Sequence, residues 1–128
     1  MREIIETAAG GASLAAYSQA VKANGMVYVS GQGPLDPVSG EVVGTTIQEQ
    51  TAQCLRTVQA ILEAAGSSLD RVVWALWSLR FPEDFDGFNE EWGRWFTTEP
   101  PARHGALMPL PERLSALRIS IGVIADAS

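Results

Sequence analysis

The spacing of apolar residues changes several times along the chain, and each change predicts a new element. Alternation of apolar with polar or β-branched residues predicts strands at 2–6, 17–21, 26–30, 71–79 and 117–125. The dipeptide Asn24-Gly25 between two extended runs predicts a tight hairpin. Shorter extended pieces are expected at 41–43 and 106–111, and the small, glycine-containing stretch 8–16 is expected to be a loop.

Two stretches have a helical period instead. From 46 to 65 the apolar residues fall on one side of a helix, with Thr45 or Thr46 as the N-cap, Glu49 as a capping-box acid and Gly66 at the end. A second helix opens at 82–84 with proline and acids, and its aromatic residues have the spacing of a core-facing stripe.

The order β-β-β-α-β-α-β-β predicts one α+β domain over 1–128, with a mixed β-sheet covered on one face by two helices. The strand at 71–79 is apolar on both sides, which is typical of an inner strand covered on both faces. In the last strand Ile119, Ile121 and Val123 share one side, and Ser120 and Gly122 share the other.

Composition narrows the function classes. The chain is 46% hydrophobic and 19% charged, as in ordinary globular proteins, and no apolar run approaches the roughly 20 residues that cross a bilayer. A net charge of −6 with scattered basic residues argues against nucleic-acid binding. The acids near the start of the chain do not resemble an export signal, so we expect a cytoplasmic protein.

Cysteine and histidine are too few for a metal site of the Cys/His type. The chain has one of each, Cys54 and His104, so neither such a site nor an internal disulfide is expected, and no cofactor is implied. Cys54 falls within the first predicted helix, where a buried thiol that acts as a small apolar residue is favoured over a nucleophile.

The candidate chemistry centres on Arg103, in the stretch Pro100-Pro101-Ala102-Arg103-His104-Gly105. Two prolines fix the backbone before it, and its planar guanidinium can bind a carboxylate through two parallel hydrogen bonds. The local sequence alone leaves open a surface arginine that follows a loop.

Several segments, taken together, resemble the RidA family, also called the YjgF or reactive-intermediate deaminase family and once labelled "endoribonuclease L-PSP". The resemblance covers nearly the whole chain and is carried by five groups of residues: Tyr17-Ser18-Gln19-Ala20-Val21; Ser30-Gly31-Gln32 with Pro34-Leu35-Asp36-Pro37 and Gly40-Glu41-Val42-Val43-Gly44; Ile61 to Leu69; Phe88-Asn89-Glu90; and Pro101-Ala102-Arg103.

The resemblance implies a chorismate-mutase-like fold and a homotrimer with a cleft between each pair of subunits. Each cleft would bind a small carboxylate, a 2-oxo or 2-imino acid. Family members hydrolyse imines and enamines, such as 2-aminoacrylate, to the keto acid and ammonia. Carried over by position, the catalytic and substrate-binding residue is Arg103, and the further substrate-binding residues are Tyr17, Ser30, Gly31, Asn89 and Gly105.

Two departures from the family pattern bear on activity. The glutamate that holds the attacking water in deaminating members is matched by Gly122, and the cysteine two places after the arginine is matched by Gly105. His104 would be the group that takes over proton transfer, although a strand residue that points away from the cleft is the favoured interpretation.

Three functions therefore stay open. The first is hydrolysis of 2-imino acids, and the second is a keto-acid-binding trimer that has lost catalysis. The third is a specialised enzyme for a larger substrate, because Gly33, Gly105 and Gly122 together would widen the cleft. The acidic charge disfavours the ribonuclease role in the old family label.

Overall fold

The structure is a computed structural model that describes residues 2–11 and 16–128. Its strands are β1 (Arg2–Ile5), β2 (Ala20–Ala23), β3 (Met26–Gln32), β4 (Val72–Leu79), β5 (Ala102–Leu107) and β6 (Ile119–Asp126), and its helices are α1 (Ile47–Ala64) and α2 (Phe85–Trp95). The strands form one sheet in the order β1-β2-β3-β6-β4-β5. β4 and β5 pair in parallel and the other neighbours are antiparallel. The predicted order of elements and the α+β class are confirmed.

Helix α1 begins at the predicted capping box. The Thr46 Oγ1 accepts a hydrogen bond from the Glu49 N–H at 3.1 Å, and the Glu49 Oε1 accepts one from the Thr46 N–H at 3.0 Å. Gly66 follows the helix with φ of 80°, a conformation that glycine adopts without strain. Thr46, rather than Thr45, is therefore the cap.

The apolar side of α1 packs on the sheet and includes Cys54. The side chains of Leu55, Val58 and Ile61 are fully buried there, and so is the thiol, whose Sγ donates to the Ile119 carbonyl at 3.8 Å. Burial raises the pKa of Cys54 far above its ordinary value, so the thiol stays protonated. The interpretation of Cys54 as a buried apolar residue is confirmed.

Helix α2 is held by its aromatic stripe and by a partly buried ion pair before its first turn. The rings of Phe88 and Trp92 are buried, and the Phe88 centroid lies 5.3 Å from that of Trp77 on β4. The Asp84 carboxylate accepts from Arg118 at 3.0 and 3.2 Å, which ties the start of α2 to the start of β6. The predicted core-facing role of the stripe is confirmed for Phe88 and Trp92, whereas Phe85 at its start is 38% exposed. Among the described residues, neither helix is long and apolar enough to cross a membrane.

The two helices cover one face of the sheet and leave the other open. Ile119, Ile121, Val123 and Ala125 of β6 are buried under the helices, as their alternation predicts. On β4 the expectation of cover on both faces is wrong for the single chain, because Val73, Trp74 and Leu76 remain 39–51% exposed. Both helices lie on the opposite side, so these residues have no cover from the described chain. We call this surface, with Tyr28 of β3, the open face.

Two predicted strands differ from the observed ones by more than two residues at one or both ends, and the others by one or two residues. The strand expected at 17–21 begins at Ala20, because Ser18 and Gln19 instead bond through their carbonyls to the Ser30 side chain and N–H. The extended piece expected at 106–111 is β5, which starts earlier, at Ala102. The two prolines before it have no N–H to donate to a ladder, so pairing begins directly after them.

Two loop predictions also need adjustment. The piece at 41–43 makes a single bridge, between Val42 and Leu35. Within the expected loop at 8–16, Ala8–Gly10 forms a short 3₁₀-helix, and 12–15 lie outside the described residues. The Asn24-Gly25 hairpin is confirmed, with φ of 54° and 75°, the positive values that a type I′ turn requires.

Candidate active site

Arg103 lies on β5 with its side chain against helix α2. Its Cζ is 5.2 Å from the ring centroid of Phe88 and 5.3 Å from that of Trp92. Its Nη2 donates a hydrogen bond to the Asn89 Oδ1. The guanidinium is therefore held by the same aromatic stripe that anchors α2 to the sheet. We call Phe88, Asn89, Trp92 and Arg103 the Arg103 cluster.

Within the described part of the chain, this cation has no carboxylate partner. Asn89 is neutral, and the Arg103 Nη1 is buried without a hydrogen-bond acceptor. Burial lowers the pKa of Arg103, but a guanidinium stays charged in proteins. A desolvated charge without a counter-ion is unfavourable, and so is a buried donor without an acceptor. A bound carboxylate would relieve the missing charge partner, which makes Arg103 a candidate anion-binding group.

The two residues after Arg103 have structural roles that the sequence did not reveal. Gly105 lies under the indole of Trp77, so that a Cβ at this position would be 2.0 Å from the Trp77 Cδ2. The absence of a side chain is required by Trp77, and Gly105 does not widen a cleft. His104 alternates with Arg103 and pairs in register with the exposed Leu76, so it lies on the open face. Its side chain is therefore on the side of the sheet opposite to that of Arg103, and the interpretation that it points away from the cleft stays a prediction.

The other predicted site residues gather around β3. The Ser30 Oγ donates to the Ser18 carbonyl at 2.7 Å, so its proton serves the connection between β2 and β3. Gly31 lies where the β3–β6 register shifts between Val29 and Gln32, and a Cβ there would be 2.7 Å from the Ser120 Oγ. A larger residue at position 31 would therefore force the Ser120 hydroxyl to move.

A cleft of about 460 Å³ opens beside Gly31, and we call it the Tyr17 cleft. Tyr17, Gly31, Ser78 and Ser120 contribute to it, and Ser78 and Ser120 pair in register across β4 and β6. The remaining lining residues are mainly glycine and apolar, among them Gly10, Gly11, Leu35, Met108, Leu110, Leu114 and Leu117. Volume and lining fall in the range typical of small-molecule sites.

The charge of this cleft is opposite to that of the Arg103 cluster. None of the described residues that line it is lysine, arginine or histidine. Its one acid, Asp36, accepts the N–H groups of Val38 and Ser39 at 2.8 Å each, and these bonds lower the pKa of Asp36. The Tyr17 cleft therefore has room for an organic molecule, and its described lining has no cation to neutralise a carboxylate.

Within one chain the two groups of residues do not meet. The sheet order places β3 and β5 three strand steps apart, which is about 14 Å at the usual strand spacing. Arg103 contacts the helix side of the sheet, whereas Ser120 alternates with buried residues and faces the other side. The structure thus groups Asn89, Arg103 and Gly105 at one edge, and Tyr17, Ser30 and Gly31 around β3.

Comparison with known proteins identifies the relatives of this architecture. The family model described as Endoribonuclease L-PSP matches residues 7–121. The chain belongs to this family, which is the family of RidA.

Relatives in sequence and in structure agree with the family match. A RutC family protein of Saccharolobus solfataricus is 46% identical over 103 residues, which are 80% of this chain and 82% of the relative. The 2-iminobutanoate/2-iminopropanoate deaminase of Capra hircus is 38% identical over 80% of this chain and 75% of its own. The crystal structure of RidA from an Antarctic Psychrobacter species is 34% identical, with a TM-score of 0.88 over 97% of this chain and 98% of that one.

The structure of this L-PSP family chain shows which outward residue of β6 lines the Tyr17 cleft. Position 122 was matched to the family's water-holding glutamate, but Gly122 does not line the Tyr17 cleft, and a Cβ there would be 3.1 Å from the Val29 carbonyl oxygen. It borders a shallower hollow of about 250 Å³ on the open face. Gly31, Ser78 and Ser120 line both the cleft and this hollow, so position 120 is the outward β6 position that borders the cleft directly.

Ser78 and Ser120 are the cleft residues that sequence reasoning missed. The alternation in β6 already placed Ser120 on the outward side, and the corresponding alternation in β4 placed Ser78 on the same side as Trp74 and Leu76. What the sequence did not show is the register that puts the two serines opposite each other. Only pairing between strands separated by forty residues fixes that contact.

Proposed function

We propose that this protein is a hydrolytic deaminase of reactive 2-imino acids, in which Arg103 binds the substrate carboxylate. The observation that carries the proposal is the complementarity of the two groups of residues. Arg103 is a cation with a neutral partner and a buried unpaired Nη1, and the Tyr17 cleft has space but no cation. The relative from Capra hircus, named as a 2-iminobutanoate/2-iminopropanoate deaminase, supports this substrate class.

The proposed active site is completed by a second copy of the chain. Because the Arg103 cluster and the Tyr17 cleft are separated within one chain, the edge at β5 of one copy would have to face the cleft of the next. Such a contact joins two different surfaces, and it closes into a ring when the rotation fits. We propose a homotrimer with three equivalent sites. The exposed Trp74, Leu76 and Tyr28 of the open face supply apolar surface for this assembly.

The chemistry needs one water molecule and no cofactor. Arg103 would hold the carboxylate through two parallel N–H bonds and thereby fix the position of the adjacent imine carbon. Water adds to that carbon, the nitrogen gains a proton, and the C–N bond then breaks to release ammonia and leave the 2-keto acid. Tyr17 and Ser120 offer hydroxyl groups that can orient the water within the cleft.

The proposed reaction depends more on position than on acid–base catalysis. Among the described lining residues, Asp36 is the one carboxylate, and its Oδ1 accepts the N–H groups of Val38 and Ser39 in its own loop. A positioned general base usually contributes a factor of about 100 to 10,000. We therefore expect hydrolysis that is slower, by a factor within this range, than in an otherwise equal site with a free carboxylate.

The test is a coupled assay in which threonine dehydratase acts on serine and generates 2-aminoacrylate. Addition of this protein should accelerate the appearance of pyruvate, and Arg103→Ala should remove at least about 99% of the gain, because the clamp supplies the positioning. Arg94→Ala is the matched control, since Arg94 forms exposed ion pairs with Glu90 and Glu91. No acceleration by the unaltered protein would contradict a deaminase.

The described lining of the cleft has no carboxylate other than Asp36, which favours a second candidate function, a keto-acid-binding trimer without turnover. Titration calorimetry separates the two proposals. Binding of 2-oxobutanoate that requires Arg103, together with no acceleration in the coupled assay, would support the binding protein. Acceleration that is lost with Arg103→Ala would support the enzyme.

A further inference from the structure

We propose that the Tyr17 cleft receives the side chain of the substrate and that it selects 2-imino and 2-oxo acids with a large apolar side chain, branched or aromatic, over those with one or two side-chain carbons. This inference rests on the proposed function for the identity of the reacting group. It deepens that proposal, because it assigns the substrate class to particular residues.

The apolar wall of the cleft is the first argument. Leu35, Met108, Leu110, Leu114 and Leu117 line it, and its volume is about 460 Å³. A three-carbon imino acid has six non-hydrogen atoms and would leave most of this space to water. An apolar side chain that replaces this water gains affinity from its buried surface.

The origin of the space is the second argument. Gly105 does not provide it, because this residue lies under Trp77, and a Cβ at Gly33, which lines the cleft, would be 3.2 Å from the Leu117 Cδ2. The space lies above the paired serines Ser78 and Ser120, whose short side chains form the floor between β4 and β6. Side-chain size at these two positions therefore determines how deeply a ligand can enter.

The charge distribution fixes which end of the ligand enters. The described lining of the cleft has no cation, and it has a carboxylate at Asp36. A ligand carboxylate placed inside would lose its hydration and gain no counter-ion, which is strongly unfavourable. The carboxylate must therefore remain at the mouth, where Arg103 of a neighbouring copy is proposed to bind it, and the side chain points inward.

The first experiment measures binding and does not depend on turnover. Calorimetric titration of the intact protein with pyruvate, 2-oxobutanoate, 4-methyl-2-oxopentanoate and phenylpyruvate should give dissociation constants that fall along the series. Each buried methylene is expected to contribute about fourfold, so the six-carbon branched acid should bind at least about 10-fold more tightly than pyruvate. Equal or tighter binding of pyruvate would overturn the inference.

The second experiment fills the floor of the cleft. Ser78→Phe should reduce the preference for the branched acid over pyruvate by about 10-fold or more, because the ring would occupy the space above Ser120. Ser115→Phe makes the same change at an exposed position outside the lining and should leave the ratio of the two constants unaltered. An unchanged ratio in Ser78→Phe would contradict the assignment of the cleft to the side chain.

A parallel assay with imines separates this inference from the proposed function. An amino-acid oxidase generates the imines of alanine, leucine and phenylalanine, and semicarbazide traps what is not hydrolysed. A higher kcat/KM for the two larger imines supports both proposals. Tighter binding of the larger keto acids without hydrolysis of any imine would reject the deaminase and leave the side-chain assignment in place, whereas fastest hydrolysis of the alanine imine would overturn the assignment alone.

Discussion

The Arg103 cluster and the Tyr17 cleft differ in what each offers to a small organic anion. The cluster has a fixed charge, packed against two neighbouring aromatic rings and bonded to a neutral amide. The cleft has a cavity of about 460 Å³ with an apolar wall and several hydroxyl groups, but no positive charge in its described lining. The cluster thus carries the positive charge that the described lining of the cleft does not have.

The difference follows from how the chain builds each region. The cluster lies at the outer edge of the sheet, where β5 has one neighbour and where α2 supplies Phe88 and Trp92. The cleft lies where the β3–β6 pairing is irregular and where the segment between β5 and β6 covers the end of the sheet. An edge can present a charge to another molecule, and an irregularity leaves room for a ligand. A site made from both must form between copies.

The largest expected effect comes from mixing two inactive variants. Arg103→Ala removes the charge, Ser120→Phe fills the cleft, and each alone should lower imine hydrolysis by about 100-fold or more. When equal amounts are unfolded and refolded together, subunits should combine at random in symmetric rings. About one quarter of the sites then receive both intact halves, so about one quarter of wild-type activity should return.

The control for that mixture is each variant refolded with itself, which should recover nothing. Sedimentation must show the same assembly in all three samples, so that a failure to assemble is recognised. If the mixture stays inactive while the assemblies are intact, the Arg103 cluster and the Tyr17 cleft do not form a shared site.

A smaller effect should follow when a second carboxylate is added to the described lining of the cleft. Ser120→Glu is expected to raise the rate of imine hydrolysis by about 10- to 100-fold, because position 120 lines the cleft and a general base there can activate water. The gain should fall away as the pH drops through the pKa of the new glutamate, whose unperturbed value is about 4.3. The pH dependence of kcat/KM is the measurement.

Gly122→Glu is the matched variant. It adds the same group one alternation step away, where a Cβ would lie 3.1 Å from the Val29 carbonyl oxygen and 3.3 Å from the Gly31 nitrogen. We expect no gain in rate and a loss of stability of about 1–3 kcal/mol from overpacking. A faster reaction in Gly122→Glu than in Ser120→Glu would show that the cleft is not the reaction site.

Sequence reasoning could predict the elements because local patterns determine them. The capping box of Thr46 and Glu49, the hairpin at Asn24-Gly25 and the alternation in β6 all act within a few residues, and the structure confirms each. The resemblance supplied Arg103 and Asn89, and the structure brings these two into contact.

Contacts between residues on strands far apart in sequence could not be predicted from local patterns. The contact of Trp77 with Gly105 depends on the parallel register of β4 and β5, and the pairing of Ser78 with Ser120 depends on that of β4 and β6. The sequence therefore left Gly105 as a gap in a cleft, and it could not show which outward residue of β6 lines the Tyr17 cleft. Both points concern which residue lies opposite which, and not which element forms.

The smallest expected effect concerns Gly105. It tests whether Trp77 fills the space next to this residue or whether that space is open. In Gly105→Ala the new Cβ would lie 2.0 Å from the Trp77 indole, so either the ring or β5 has to move. Overpacking of this kind typically lowers the free energy of unfolding by about 1–3 kcal/mol.

Gly93→Ala in α2 is the matched control, because nothing lies within 4 Å of its added Cβ, and alanine there should stabilise the protein by about 0.5–1 kcal/mol. Urea denaturation of both variants gives the two values with opposite signs. An increase in stability for Gly105→Ala would show that Trp77 does not hold β5 in the manner described, and Arg103 would then lack the rigid strand on which its role as a carboxylate clamp depends.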